Sequence, residues 1–187
     1  MKNIAIFASG SGTNAENIVT YFEDSDNVDV CVILTNNAKA GVIERAHSLF
    51  VDVHVFNRDG FYNSDKILDL LVQYNIDIIV LAGFLWLVPE KMIEKYDNKI
   101  INIHPALLPK FGGKGMYGMK VHEAVINAKE AKSGITIHNV NKIYDDGQII
   151  FQKSFDIAIN ETPETLAQKI HVLEYKHFPE VIDDFCK

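Results

Sequence analysis

The sequence predicts a three-layer α/β/α fold built on a mostly parallel sheet with an antiparallel C-terminal extension. Three observations carry this. Short apolar runs of strand type alternate with helical patterns over the first hundred residues, with short connections between them. Those runs are largely apolar, as in strands covered on both faces. Past residue 130, two strand-like runs follow one another with only a turn signal between them.

Asn3–Ala8 is the first strand run, and Gly10-Ser11-Gly12-Thr13-Asn14 joins it to a helical pattern, Ala15–Phe22. Strand Val28–Leu34, helix Ala40–Leu49, strand Val51–Phe56, helix Ser64–Tyr74 and strand Ile76–Ala82 follow in turn. Helix Pro89–Tyr96 begins on a proline suited to a first helical turn. Strand Lys99–Ile103 ends at Asn102 and His104, and Pro105 stops it. Pro105–Met119 has no clear periodicity and carries Gly112, Gly113, Gly115 and Gly118; it reads as a long loop, either functional or merely a flexible connector. Val121–Ala128 is helical in pattern, and Gly134–Asn139 and Gln148–Phe155 are the consecutive strands, separated by the turn signal Asp145-Asp146-Gly147. Thr162-Pro163-Glu164 supplies a cap, a first-turn proline and an acid to the last long helix, which Pro179 should kink or interrupt.

Composition narrows the function classes. The 187 residues fit one domain, 48% hydrophobic and 23% charged. No apolar run approaches the roughly 20 residues of a membrane span, and the N-terminus enters a strand without a signal-peptide layout. A net charge of −7 without a basic patch argues against nucleic acid. Cys31 and Cys186 are scattered, as expected of free thiols in a reducing cytoplasm. The histidines lack metal-ligand spacing; His122-Glu123 opens like a zinc helix, but Ile126 stands where a second ligand belongs, so no metal is expected.

Asn102 and His104 alternate along a strand and therefore share a face. An amide donor beside an imidazole suits a carbonyl that becomes an oxyanion while a proton moves; a turn cap and a packed histidine give the same letters. The glycines of Gly10–Asn14 let a backbone approach an anion at a helix N-terminus. Gly10-x-Gly12-x-x-Ala15 is a loose dinucleotide pattern, but Leu34-Thr35-Asn36-Asn37 lacks the ribose-binding acid, so a phosphomonoester fits better than NAD. A tight turn without a ligand is the alternative. Asp145 or Asp146 could orient His104 or simply cap the turn. Glu174 lies on the last helix among apolar residues. Trp86, the only tryptophan, directly follows a strand, where it serves either a ligand or the core.

Several of these segments occur together and in order: Ser9–Asn14, Leu81-Ala82-Gly83-Phe84, Asn102-Ile103-His104-Pro105 with Leu107-Leu108-Pro109, Ser133–His138, Asp145-x-Gly147 and the helix with Glu174. In this the chain resembles, essentially end to end, the folate-dependent formyltransferases. The Asn-x-His-Pro-x-Leu-Leu-Pro block is specific to that group. The phosphate loop and the single-domain length narrow the resemblance to its phosphoribosylglycinamide branch. The resemblance implies a Rossmann-like formyltransferase fold, a single domain 1–187, with about 1–100 as the phosphate-binding half and about 101–187 as the folate-binding and catalytic half. It implies transfer of a formyl group from 10-formyltetrahydrofolate, as co-substrate, to the amine of 5-phosphoribosylglycinamide in purine synthesis, by a cytoplasmic monomer or homodimer. Asn102, His104 and Asp145 would be catalytic. Gly12, Thr13, Asn14 and Glu174 would bind the substrate's phosphate and ribose. Arg58, Leu85, Trp86, Leu87, Val88 and Asn141, with Asn102 and Asp145, would border the folate. The chain departs from the family at Trp86, often Arg, at His171, often Gln, and in a longer Phe111–Met119 loop. Another formyl-transferring or formyl-hydrolysing enzyme and a non-enzymatic nucleotide-binding domain are the competing classes.

Overall fold

A computed structural model describes residues 1–187. Strands β1 (Lys2–Phe7), β2 (Val28–Thr35), β3 (Asp52–Val55), β4 (Ile78–Leu81), β5 (Ile100–His104), β6 (Lys132–Asn139) and β7 (Ile149–Asp156) form one sheet in the order β3-β2-β1-β4-β5-β6-β7. The pairs among the first five strands are parallel; β5–β6 and β6–β7 are antiparallel. The helices are α1 (Thr13–Phe22), α2 (Val42–Ser48), α3 (Arg58–Tyr62), α4 (Lys66–Gln73), α5 (Glu90–Lys95), α6 (Met119–Asn127) and α7 (Pro163–Phe185). The expected mostly parallel sheet with an antiparallel C-terminal pair is what the chain builds.

Alternation along β1 divides the core. Ile4 and Ile6 point into one cluster with Ala15 and Ile18 of α1 and Ile170 and Phe178 of α7. Ala5 and Phe7 point into the other with Leu71 of α4 and Met92 of α5. Both faces are covered, which explains strands without polar alternation.

Two expectations need correction. α3 was not foreseen; it is a five-residue helix whose N-cap Asn57 accepts from Gly60 N at 2.8 Å. α7 runs 23 residues without interruption, although Pro179 lies inside it. Pro179 has no N–H for the carbonyl of Tyr175, four residues back. Asn17 Nδ2, on α1, donates to that carbonyl at 2.8 Å and replaces the missing bond.

After β1 the chain moves to β2 on one side, whereas β4 lies on the other. This divergence leaves a crevice at the carboxyl ends of β1 and β4. Two bonds tie its walls together: Ser9 N–H donates to Gly83 O (3.1 Å), and Leu85 N–H to Ser9 Oγ (3.0 Å). On the antiparallel side, Asn102 pairs with His138 and His104 with Thr136, placing four polar residues on neighbouring strand positions.

Candidate active site

The phosphate-type loop is shaped by Gly12. It has φ 77° and a Cβ there would fall 2.4 Å from Val42 Cγ2, so glycine is required on both counts. Gly12 is the N-cap of α1 and no side chain caps the helix, so the first-turn N–H groups stay available to an anion. Gly10, Gly12, Thr13 and Asn14 line a cavity of about 700 Å³.

Asn102, His104 and Asp145 line the same cavity. Asp145 adopts φ 54°, a left-handed conformation that Asp tolerates better than most residues. Its neighbour Gly147 lies against β6, where a Cβ would meet Asn139 O at 1.7 Å; glycine is what lets the turn close. Asp145 Oδ2 accepts from Gly113 N–H at 2.8 Å and lies 3.6 Å from His104 Nδ1. Its Oδ1 lies 3.5 Å from Asn102 Nδ2 and 3.6 Å from His138 Nε2. One carboxylate thus faces an amide and two imidazoles.

Hydrogen bonds fix the tautomers. His104 Nε2 is 2.8 Å from Phe111 O, an acceptor, so Nε2 carries the proton and Nδ1 keeps the free lone pair. His138 Nδ1 is 2.7 Å from Asn139 O, so its Nε2 lone pair accepts from Asn102 Nδ2 at 3.0 Å. His104 is 3% exposed. Burial pushes its pKa below the ordinary value, against the opposing pull of the Asp145 carboxylate and the Phe111 bond. Burial pushes Asp145 the other way, but its contacts with His138, with His104 when that ring is protonated, and with the Gly113 N–H outweigh it and hold the carboxyl below its usual range. The site therefore sets a carboxyl that ionises readily beside an imidazole that burial makes harder to protonate.

At the far wall, Glu174 of α7 is 5% exposed. Its Oε2 accepts from Asn14 Nδ2 (2.9 Å) and from His171 Nδ1 (3.0 Å). Its hydrogen bonds within the protein run through Oε2, and the residue lines the cavity.

The fold thus brings Gly12, Thr13, Asn14, Leu85, Asn102, His104, Asp145 and Glu174 around one cavity. Arg58, Trp86, Leu87, Val88 and Asn141 do not line it. Val88 is buried in the second core cluster. Trp86 stacks on Tyr62 (6.0 Å, 29°), edges Phe56 (5.9 Å), and has the Arg58 guanidinium 5.5 Å above its ring. Leu87 O accepts from Tyr62 Oη at 2.9 Å, and Asn141 Nδ2 donates to Asp146 at 3.3 Å. Sequence reasoning does not foresee that His138 contacts Asn102, or that His122 and His171 line the cavity. For His138 a signal existed: Thr136 and His138 alternate on a strand as Asn102 and His104 do, and the two strands are adjacent.

Comparison with known proteins assigns the chain and its fold to a family. A family profile described as formyl transferase matches residues 2–182. A chloroplastic phosphoribosylglycinamide formyltransferase of Arabidopsis thaliana is 41% identical over all of this chain, which spans 66% of that relative's length. A phosphoribosylglycinamide formyltransferase of Bacillus subtilis is 36% identical, over 97% of this chain and 93% of the relative. The crystal structure of glycinamide ribonucleotide transformylase 1 from Geobacillus kaustophilus superposes with a TM-score of 0.90 at 35% identity, covering both chains completely. With the profile spanning nearly the whole sequence and the fold shared end to end, the chain belongs to the formyl transferase family.

Proposed function

We propose that this chain transfers the formyl group of 10-formyltetrahydrofolate to the amine of 5-phosphoribosylglycinamide, giving formylglycinamide ribonucleotide and tetrahydrofolate on the route to purines. The single observation that carries this reading is one cavity joining a free helix N-terminus to the Asn102–His104–Asp145 cluster. A phosphate held at Gly12–Asn14 and a ribose diol facing Glu174 Oε1 would leave the glycyl amine toward the cluster. Arg58, Leu85–Val88 and Asn141 would border the folate on the other side. Residues 1–100 would then supply mainly phosphate binding, and 101–187 the chemistry. Both ligands are small molecules, taken up in the cytoplasm by a monomer or homodimer.

The amine, as free base, attacks the formyl carbon. Its proton passes to His104 Nδ1, directly or through a water, and the carbonyl oxygen becomes an oxyanion. The Asn102 Nδ2 hydrogen directed at Asp145 Oδ1, with nitrogen and oxygen 3.5 Å apart, is the loosely held one, free to turn to that oxygen while the other remains on His138. Asp145 stabilises the imidazolium formed. The carbon bond to folate nitrogen then breaks, and that nitrogen receives the proton from His104. The formyl donor is already activated, so orientation and electrostatics supply the rate.

The test is an assay with purified protein and both substrates, following folate product and formylated ribonucleotide. Stoichiometric appearance of the two supports the reading. Folate product with free formate and no formylated ribonucleotide would instead identify a hydrolase.

A further inference from the structure

We propose that Arg45 is a positioning residue for the reaction proposed above: it holds the Ser11–Gly12 peptide so that its N–H, and not its carbonyl, faces the substrate's phosphate. The inference rests on the proposed function and extends it to a residue that does not line the cavity.

Gly10, Ser11 and Gly12 do line it. The carbonyls of this stretch are taken up from the other side, by the segment after β2 and by α2. Ser9 O accepts from Asn37 Nδ2 at 3.3 Å, Gly10 O from Val42 N–H at 3.2 Å and Ser11 O from Arg45 Nε at 2.9 Å. In a trans peptide the C=O and the following N–H point in opposite directions. Three carbonyls drawn toward α2 therefore turn the N–H groups of Gly10, Ser11 and Gly12 away from it, as successive donors for an anion. They extend the uncapped first turn of α1.

The Ser11–Gly12 peptide is the one that needs holding. Gly12 sits at φ 77° and, as glycine, crosses readily to other φ values, so the peptide before it can flip. A flipped peptide would set a carbonyl dipole against the phosphate. The start of α2 is placed to prevent this. Gly41 and Arg45 stand one turn apart on one face, and a Cβ on Gly41 would lie 3.3 Å from Ser11 O, so the helix abuts the loop. Arg45 Nη1 also pairs with Glu16 of α1. One guanidinium thus joins the loop carbonyl to the helix that the loop opens, through two of its nitrogens. Glu16 offsets the charge of Arg45, which leaves the peptide, and not long-range attraction, as the route to the phosphate.

Arg45→Met keeps the aliphatic stem and removes the bond. Its KM for 5-phosphoribosylglycinamide should rise about tenfold, the scale of one hydrogen bond to a charged group. Its kcat and its KM for 10-formyltetrahydrofolate should stay within about twofold, and kcat/KM for the unphosphorylated riboside should not change. An unchanged KM for the ribonucleotide overturns the assignment. Losses shared by kcat, folate and riboside overturn it too, because they mark a residue that only supports the fold. Glu16→Gln separates bond from charge, since it keeps the Ser11 bond and bares a cation. A ribonucleotide KM within about twofold supports positioning, and a severalfold fall overturns it in favour of charge. Amide NMR gives a readout independent of turnover. Saturating ribonucleotide should move the Gly12 amide proton downfield in the unaltered protein and much less in Arg45→Met; an undiminished shift overturns the assignment. Failure of the unaltered protein to bind the ribonucleotide at all overturns the function itself.

Discussion

Asp145→Asn should be the most damaging isosteric change in the chain. The carboxylate lies 3.6 Å from His104 Nδ1, and the two side chains are 12% and 4% exposed. At that 3.6 Å separation and an effective dielectric of about 20, a unit charge stabilises the imidazolium by roughly 4–5 kcal/mol, or about three decades in rate if the whole benefit is felt in the transition state. The amide adds a second fault. Its oxygen must keep accepting from Gly113 N–H, which turns its NH₂ toward Asn102 Nδ2, donor against donor. The assay is steady-state kcat and KM for both substrates across pH. Because Asp145 raises the His104 pKa, its loss should move the acid limb to lower pH while lowering the plateau by about 10²–10³. Asp146, exposed and bonded only to Asn141, is the control and should change little as Asn. A drop of less than tenfold in Asp145→Asn with the acid limb unmoved would refute the electrostatic argument.

Three further outcomes follow from the same geometry. His138→Gln, which can still offer an acceptor to Asn102, should retain kcat within about tenfold, whereas His138→Leu should lose about 10² with KM little changed; equal losses would mean that His138 only fills space. Asn17→Ala strands the Tyr175 carbonyl and should cost about 1–2 kcal/mol, or about 2–8 °C in Tm by calorimetry; an unaltered Tm would show that the bond carries no weight. A folate analogue should change Trp86 emission saturably, because Leu85 lines the cavity and Trp86 adjoins it; a flat spectrum beside calorimetric binding would move the pteridine away from Leu85–Val88.

Much of this was legible in the residues. The apolar strand runs gave the parallel sheet because burial on both faces removes polar alternation, and Thr162-Pro163 marked the start of α7 because cap and first-turn chemistry are local. Asn102 and His104 were legible as a pair for the same reason: strand alternation is local too. What sequence could not give was any contact across the sheet. Asp145 reaches His104 only because β6 and β7 return beside β5, and His138 meets Asn102 through a register set by that antiparallel pairing. α3 was missed because five residues carry too little periodicity to register. Pro179 misled for a different reason. A proline forbids one hydrogen bond, but whether another donor fills the gap depends on a helix some 160 residues earlier.

That same gap gives α7 a place to be recognised. Pro179 leaves the carbonyl of Tyr175 without its intrahelical donor, at one fixed point along α7. Asn14 and Asn17, one turn apart on α1, reach the adjacent residues Glu174 and Tyr175. Sliding α7 by a turn would take the freed carbonyl away from Asn17 and leave Glu174 without its amide. The proline acts as a notch in an otherwise uniform rod. It indexes the last helix against the first, so that a carboxylate late in the chain is set beside the uncapped N-terminus of α1.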